Sequence, residues 1–207
     1  GVLLLDAYFK EDRPHDTWTA FYKTGQPKEV FQFVEGVRDG NFVWFYENGQ
    51  KAQEFFFKKD LLEGEIKNWY EDGSLRALGQ YRDGHPVGEF FEYYAADEEQ
   101  EQQLERFAFY DQEGRLDQEQ KAYYPSGQLR ELLCYEQGEL HGRKAFWDAE
   151  GELIEEAFYQ NGKLEGRFFQ RLQDGREIIF NYRNNFKEGP HEIYVLNEKD
   201  GKKQKTI

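Results

Sequence analysis

The sequence predicts an all-β fold: an elongated, single-layer antiparallel β-meander of tandem hairpins, each unit roughly 24 residues long, twisted or curved along its length. Three observations predict it. Sixteen of the 20 glycines recur in three registers: Gly25, Gly49, Gly73, Gly127, Gly151 and Gly175; Gly36, Gly84, Gly138 and Gly162; and Gly40, Gly64, Gly88, Gly142, Gly166 and Gly189. Aromatic pairs stand just before the first of these turns, as in Phe21-Tyr22, Phe45-Tyr46, Trp69-Tyr70, Tyr93-Tyr94 and Tyr123-Tyr124. Aromatic residues make up 18% of a chain whose apolar total is only 38%, so rings rather than aliphatic side chains must supply the stabilising surface. That profile suits β-ribbons without a deep core. Residues 1–207 read as a single repeat domain of about eight units, with a partial unit at 1–15 and a degenerate cap at 190–207.

Each unit opens with a six-residue strand after a junction glycine, such as Asn41 to Tyr46 or Glu65 to Tyr70. Alternation along a strand sends the two rings of each pair to opposite faces, so both faces carry an aromatic column. The first turn, Glu47-Asn48-Gly49 or Glu71-Asp72-Gly73, is predicted as a hairpin turn, because Asn-Gly and Asp-Gly favour positive φ and match the ribbon's twist. A second strand then ends in Phe33, Phe57, Tyr81, Tyr110, Tyr135, Tyr159 or Tyr182, and the second turn carries Asp83-Gly84 or Asn161-Gly162. Gly64, Gly88, Gly142 and Gly166 at the junctions let the backbone bend or approach a neighbouring strand. Gly114 lies outside the three registers and is expected to tolerate substitution better than Gly73. Some sixteen strands at about 4.8 Å spacing would make a ribbon roughly 75 Å long.

The pattern breaks in three places. Ala95-Ala96-Asp97 leads into the acidic, Gln-rich stretch Glu98 to Gln103, an enlarged hairpin loop. The next junction loses its glycine to Asp117 or Gln118. The last unit has no turn glycine before Gly201.

The formal charge of −14 repels phosphate backbones and anionic headgroups, which argues against nucleic acid and against a membrane surface as partner. The lysine-rich tail from Lys199 to Lys205 reads as a solvated end. The single Cys134 rules out an intramolecular disulfide. The start at Gly1 and the absence of methionine predict that the native start, with any signal peptide, has been removed.

No chemistry-bearing constellation emerges. His15, His85, His141 and His191 lie in different units, none with a second His or Cys at a metal-ligand spacing. Cys134 reads as a packing residue, although His141 lies across the next turn. The acidic turns lack the alternating Asp/Asn loop that binds calcium. The expectation is a protein that is not an enzyme and has no catalytic residue, cofactor or metal.

The strings DLLEGEIKNWYEDGSL, YQNGKLEGRF and CYEQGELHGRK resemble MORN repeats, specifically the bacterial MORN-repeat-variant family of YxxGxLxG hairpins. The motif falls on Tyr159, Gly162, Leu164 and Gly166, on Tyr135, Gly138, Leu140 and Gly142, and less fully on Tyr81, Gly84 and Gly88. Departures are Asp60 and Asn185, where a turn glycine is wanted, and the unit around Asp111 to Gln118. The resemblance implies an antiparallel β-meander with a role in assembly or protein recognition, and some bacterial relatives are antitoxins. The leading reading is a bacterial scaffold that binds a protein partner of unknown identity, with Trp44 and Trp69 as candidate contacts. The alternatives are carbohydrate or cell-wall binding through exposed rings, and an antitoxin-like protein that masks a basic partner. The cell envelope or secretion is the favoured location, with the cytoplasm left open.

Overall fold

A computed structural model describes residues 3–96, 101–196 and 203–205. Among them there is no helix, and the strand pairings are antiparallel, hairpin after hairpin, as the glycine registers predict. The chain divides into two compact units, residues 1–104 with 110–114 and residues 105–109 with 115–207. The first contains the long strands Leu5–Lys10, Arg13–Phe21, Pro27–Val34, Gly40–Phe45, Lys51–Lys58, Leu61–Trp69, Leu75–Arg82 and Gly88–Tyr93. The second contains Gln118–Tyr123, Leu129–Glu136, Glu139–Trp147, Leu153–Gln160, Gly166–Arg171, Glu177–Arg183 and Glu192–Leu196. Among the described residues no large side chain is fully buried; Val87, Phe42, Phe169, Phe57 and Leu132 come nearest, at 3 to 8% exposure. A meander one strand thick offers each ring neighbours from the same face only, and the aromatic-rich composition answers to that geometry.

The two kinds of turn differ from the reading of Asn-Gly and Asp-Gly. At the first turn Gly49 N–H donates to the Tyr46 carbonyl at 2.9 Å and Gly49 has φ +88°, whereas Asn48 is not left-handed. This is a type I turn closed by a left-handed glycine, with a bulge one strand position later, where Trp44 faces Gln53 but Phe45 faces Lys51. The Asn or Asp side chain braces the turn instead: Asn48 Oδ1 accepts the Gln50 N–H at 2.9 Å and Asp72 Oδ1 the Ser74 N–H at 2.7 Å. Gly73, at φ +89°, repeats the arrangement.

The two-residue turns with both centres left-handed are the second ones, Glu35-Gly36, Lys59-Asp60, Asp83-Gly84, Gln137-Gly138, Asn161-Gly162 and Asn184-Asn185, together with Glu11-Asp12 in the partial first unit. Asp60 and Asn185 therefore hold the glycine conformation, and each is supported by its side chain. Asp60 Oδ1 accepts from Arg38 N at 3.1 Å and Arg38 Nε at 2.8 Å, and Asn185 Oδ1 accepts from Leu164 N at 2.7 Å. The Arg38 guanidinium holds the Asp60 carboxyl below the usual carboxylate range, so the contribution of this bond is present above that range and fades as pH falls through the lowered value.

These turns stack into a ladder along one edge of each unit. The N–H of the second turn residue donates to a carbonyl in the preceding hairpin: Gly36 to Pro14, Asp60 to Arg38, Gly84 to Leu62, Gly138 to Leu116 and Gly162 to Leu140, all at 2.7 to 2.9 Å. The first turn residue is served by a side chain, Glu35 N–H by His15 Nδ1 at 3.1 Å, Asp83 by Glu63 Oε2 at 3.0 Å and Gln137 by Asp117 Oδ1 at 3.1 Å. His15 is thus a turn support.

A second ladder runs along the opposite edge and absorbs the tyrosines of the aromatic pairs. The hydroxyls of Tyr22, Tyr46 and Tyr70 donate to the carbonyls of Phe45, Trp69 and Tyr93, each at 2.8 Å, and Tyr124 donates to Trp147 at 2.9 Å. Each tyrosine staples its turn to the next hairpin. Tyr46→Phe is expected to cost about 1 kcal/mol in urea unfolding, the ordinary net worth of one such bond; an unchanged midpoint would show that water serves the Trp69 carbonyl equally well.

The junction position is left-handed throughout: Asp16 (φ +65°), Gly40 (+127°), Gly64 (+79°), Gly88 (+74°), Gln118 (+60°), Gly142 (+96°) and Gly166 (+78°). An added Cβ would meet nothing within 4 Å at Gly64, Gly88 or Gly166, so conformation rather than close approach requires glycine there. Close approach holds only at Gly40, against Gln32, and Gly142, 3.2 Å from Cys134 Cβ. Tyr81, Tyr135 and Tyr159 stand directly opposite this position, across from Gly64, Gln118 and Gly142. Gln118 carries left-handed strain that glycine would not, so Gln118→Gly is expected to raise stability by about 0.5–1 kcal/mol, read as a higher urea midpoint at unchanged slope.

Gly114 corrects the expectation that it tolerates change. It closes a turn of its own, with φ +80°, its N–H donating to the Asp111 carbonyl at 3.2 Å and an added Cβ 3.0 Å from His85 Cβ. It carries the same conformational demand as Gly73. The Glu98–Gln103 loop is closed at its base by Tyr94 N–H to the Gln103 carbonyl at 3.0 Å and Gln102 Nε2 to the Tyr94 carbonyl at 2.9 Å. Residues 98–100, and residues 199–202 of the lysine-rich tail with Gly201, lie outside the described residues.

Candidate functional site: an aromatic face in the first unit

Alternation and register place Trp18, Phe31, Phe33, Phe42, Trp44, Phe55 and Phe57 on one face of the first unit. Their rings form a connected cluster. Phe42 lies at its centre, with centroid distances of 4.2 Å to Phe31, 4.7 Å to Phe57, 6.1 Å to Phe55 and 6.4 Å to Trp44. Trp44 meets Phe55 at 5.1 Å and Phe31 at 5.7 Å, both edge to face. Such pairs hold rings together beyond the area they bury.

The cluster borders a cleft of about 320 Å³ lined by Phe42, Trp44, Phe55, Phe57, Ile66 and Tyr81, with Arg38, Gln53 and Asn68 as its polar members. Arg38 stacks over Phe57 at 4.3 Å while bonded to Asp60, so its charge is already spoken for. Gln53 and Asn68 face each other directly across two strands, and within the described residues neither carboxamide has a side-chain hydrogen-bond partner.

Farther along, Gly79 is buried and holds an extended strand. A Cβ there would come within 2.2 Å of the Phe90 ring, which contacts Tyr81 at 5.7 Å and Tyr110 at 5.0 Å. Gly79 belongs to none of the three glycine registers. The signal available was a glycine in the strand where Phe55 and Leu133 occupy the equivalent position, with Phe90 one strand on.

Trp44 and Trp69 do not meet. Trp44 faces Gln53, which faces Asn68, and Trp69 follows Asn68 in its strand and so points to the other face. Lys51 Nζ lies over the Trp69 ring at 5.9 Å. In the second unit the corresponding rows carry their own charges: Lys144 pairs with Glu155 at 3.1 Å, and Glu156 accepts from Arg143 at 2.8 Å and Arg167 at 3.2 Å.

The groups considered for chemistry are dispersed. Burial pushes the Cys134 thiol up, which disfavours the nucleophilic thiolate. His141 Nδ1 lies 3.0 Å from Glu136 Oε2 and 3.2 Å from Asn161 Oδ1. No group of three potential metal ligands gathers among the described residues, and no helix there is long and apolar enough to cross a membrane.

Residues 38–59, 62–83, 116–137 and 140–161 match the family model of the MORN repeat variant. The chain carries MORN-variant repeats. Three of the matched segments start just after one two-residue turn, 116–137 starts after the turn closed by Gly114, and all four end in the next two-residue turn, so the sequence family and the turn ladder share one period. The same geometry extends beyond the matches: Glu35-Gly36 and Asn184-Asn185 make the same turn, and Gly166 the same junction as Gly40, Gly64 and Gly142. No curated protein gives a match to the chain. MORN repeats as a class are associated with scaffolds that meet proteins or membranes.

Proposed function

We propose that this chain is a non-enzymatic MORN-variant scaffold whose aromatic face in the first unit binds another protein. The observation that carries the reading is the cleft beside Phe42 and Trp44, where apolar rings and two unbonded carboxamides share one open surface. Apolar area supplies affinity on such a face, and polar groups that need partners supply orientation. The supporting framework is a sheet whose turns are tied hairpin to hairpin by tyrosine hydroxyls and backbone bonds. The overall charge of −14 favours a partner with a basic surface over an anionic membrane, which keeps the masking of a basic protein within this same reading. A bacterial setting, at the cell envelope or in secretion, is part of the proposal and rests on the family resemblance.

The test uses the two tryptophans against each other. Tagged full chain, Trp44→Ala and Trp69→Ala are compared for partner capture from host lysate after confirming equal folding, with vesicles of phosphatidylserine or cardiolipin as a parallel arm. Capture lost with Trp44→Ala and kept with Trp69→Ala supports the reading. Sedimentation with the vesicles and no Trp44-dependent protein overturns it.

A further inference from the structure

The cross-strand register of the first unit lines up Glu29, Trp44, Gln53, Asn68, Ala77 and Glu92 in one row across six strands, each residue directly opposite the next. All six point to the aromatic face, since directly opposed residues in an antiparallel pair share a face. Five strand spacings of about 4.8 Å separate the two glutamates, roughly 24 Å in all, the length of about seven residues of extended chain. The middle of the row is an indole, two neighbouring carboxamides and a small residue that leaves the surface low.

Each position has a chemical complement in an extended peptide. A carboxamide offers both a donor and an acceptor, which is what a backbone amide unit needs. Gln53 and Asn68 carry these groups side by side without an internal partner. Trp44 offers a ring to the stem and charge of a lysine or arginine. This chain already places its own cations over rings, Arg38 over Phe57 at 4.3 Å and Lys187 over Phe180 at 3.6 Å. Glu29 and Glu92 put negative charge at the ends of the row; Glu29 is shared with Lys28 at 3.4 Å, an exposed pair that a second cation joins at little cost. The equivalent row of the second unit, Arg106, Ala122, Glu131, Phe146, Glu155 and Gln170, starts on a cation and has no neighbouring carboxamides at its centre.

We infer that the row from Glu29 to Glu92 is a docking track for an extended, lysine- or arginine-bearing peptide segment lying across the strands, its backbone held by Gln53 and Asn68 and its cations by Trp44 and the two glutamates. This rests on the scaffold reading above and names the partner's chemistry.

The probe is a fluorescein-labelled seven-residue peptide with lysine at both ends and alternating serine and leucine between, compared with its glutamate-ended counterpart by fluorescence anisotropy on the full chain. The lysine peptide should bind at least tenfold more tightly, with the preference shrinking as salt rises. The double variant Gln53→Ala/Asn68→Ala, at unchanged thermal unfolding, should weaken binding at least fivefold. Glu29→Gln/Glu92→Gln should reduce the preference for lysine, and Trp69→Ala on the other face should change nothing. Equal binding of the two peptides, or lysine-peptide affinity untouched by the carboxamide variant, overturns the track, the latter because it would report only the overall negative charge. Binding of a neutral oligosaccharide such as chitohexaose in place of the lysine peptide, lost in the carboxamide variant, also overturns it and assigns the cleft to sugar. Failure here with Trp44-dependent protein capture intact removes the peptide track and leaves the scaffold reading standing; loss of both removes both.

Discussion

Phe42→Ala is expected to destabilise the first unit by about 3–5 kcal/mol, the usual cost of emptying a large aromatic site that cannot collapse. Phe42 is 5% exposed and its ring touches those of Phe31, Phe33, Trp44, Phe55 and Phe57. Backbone pairing on both sides of the Gly40–Phe45 strand fixes the neighbours, so they cannot close in on the gap. Urea unfolding followed by tryptophan fluorescence would report the loss. Phe56→Ala is the control, because Phe56 points to the opposite face and is 37% exposed; a comparable loss there would show that the ring cluster is not what stabilises the unit.

Gly79→Val is expected to cost about 1–3 kcal/mol by overpacking. The backbone at Gly79 is not left-handed, so the effect comes from space alone: the new Cβ would sit within 2.2 Å of the Phe90 ring. The ring cannot simply turn aside, because Tyr81 and Tyr110 stand against it. The double variant Gly79→Val/Phe90→Ala separates this mechanism from strand propensity. Valine favours strands, so if the ring is the obstacle the second substitution should cost less in the Gly79→Val background than alone. Additive losses would rule the contact out.

The hairpin array and its period were legible in the sequence, because turn glycines and strand-ending aromatics report local conformation. Gly49, Gly84 and Gly64 each mark a left-handed residue, and each is left-handed. What could not be read was the kind of turn. Asn48-Gly49 looks like a two-residue hairpin turn, but its loop is one residue longer and Asn48 serves as a side-chain brace. Asp60 and Gln118, conversely, look like lost glycines and keep the glycine conformation, since at these positions the hydrogen-bonding framework around the chain sets φ and the residue accommodates it.

The site shows the same division. Trp44 and Trp69 were equivalent candidates from composition; a one-residue offset within their strands sends them to opposite faces, and only the pairing register reveals which rings share a face with Trp44. The tyrosines of the aromatic pairs were legible as part of the repeat but not as staples, because their acceptor carbonyls lie 23 residues away in sequence and one hairpin away in space. By itself, then, the amino-acid order determined the all-β class, the repeat length and the positions of the turns, all consequences of local backbone preference and strand alternation. Only the tertiary structure decided which side chains stand side by side, that Gly79 seats Phe90 and that Gln53 meets Asn68, because cross-strand neighbours are set by register and bulges, which shift by single residues that composition and period do not record.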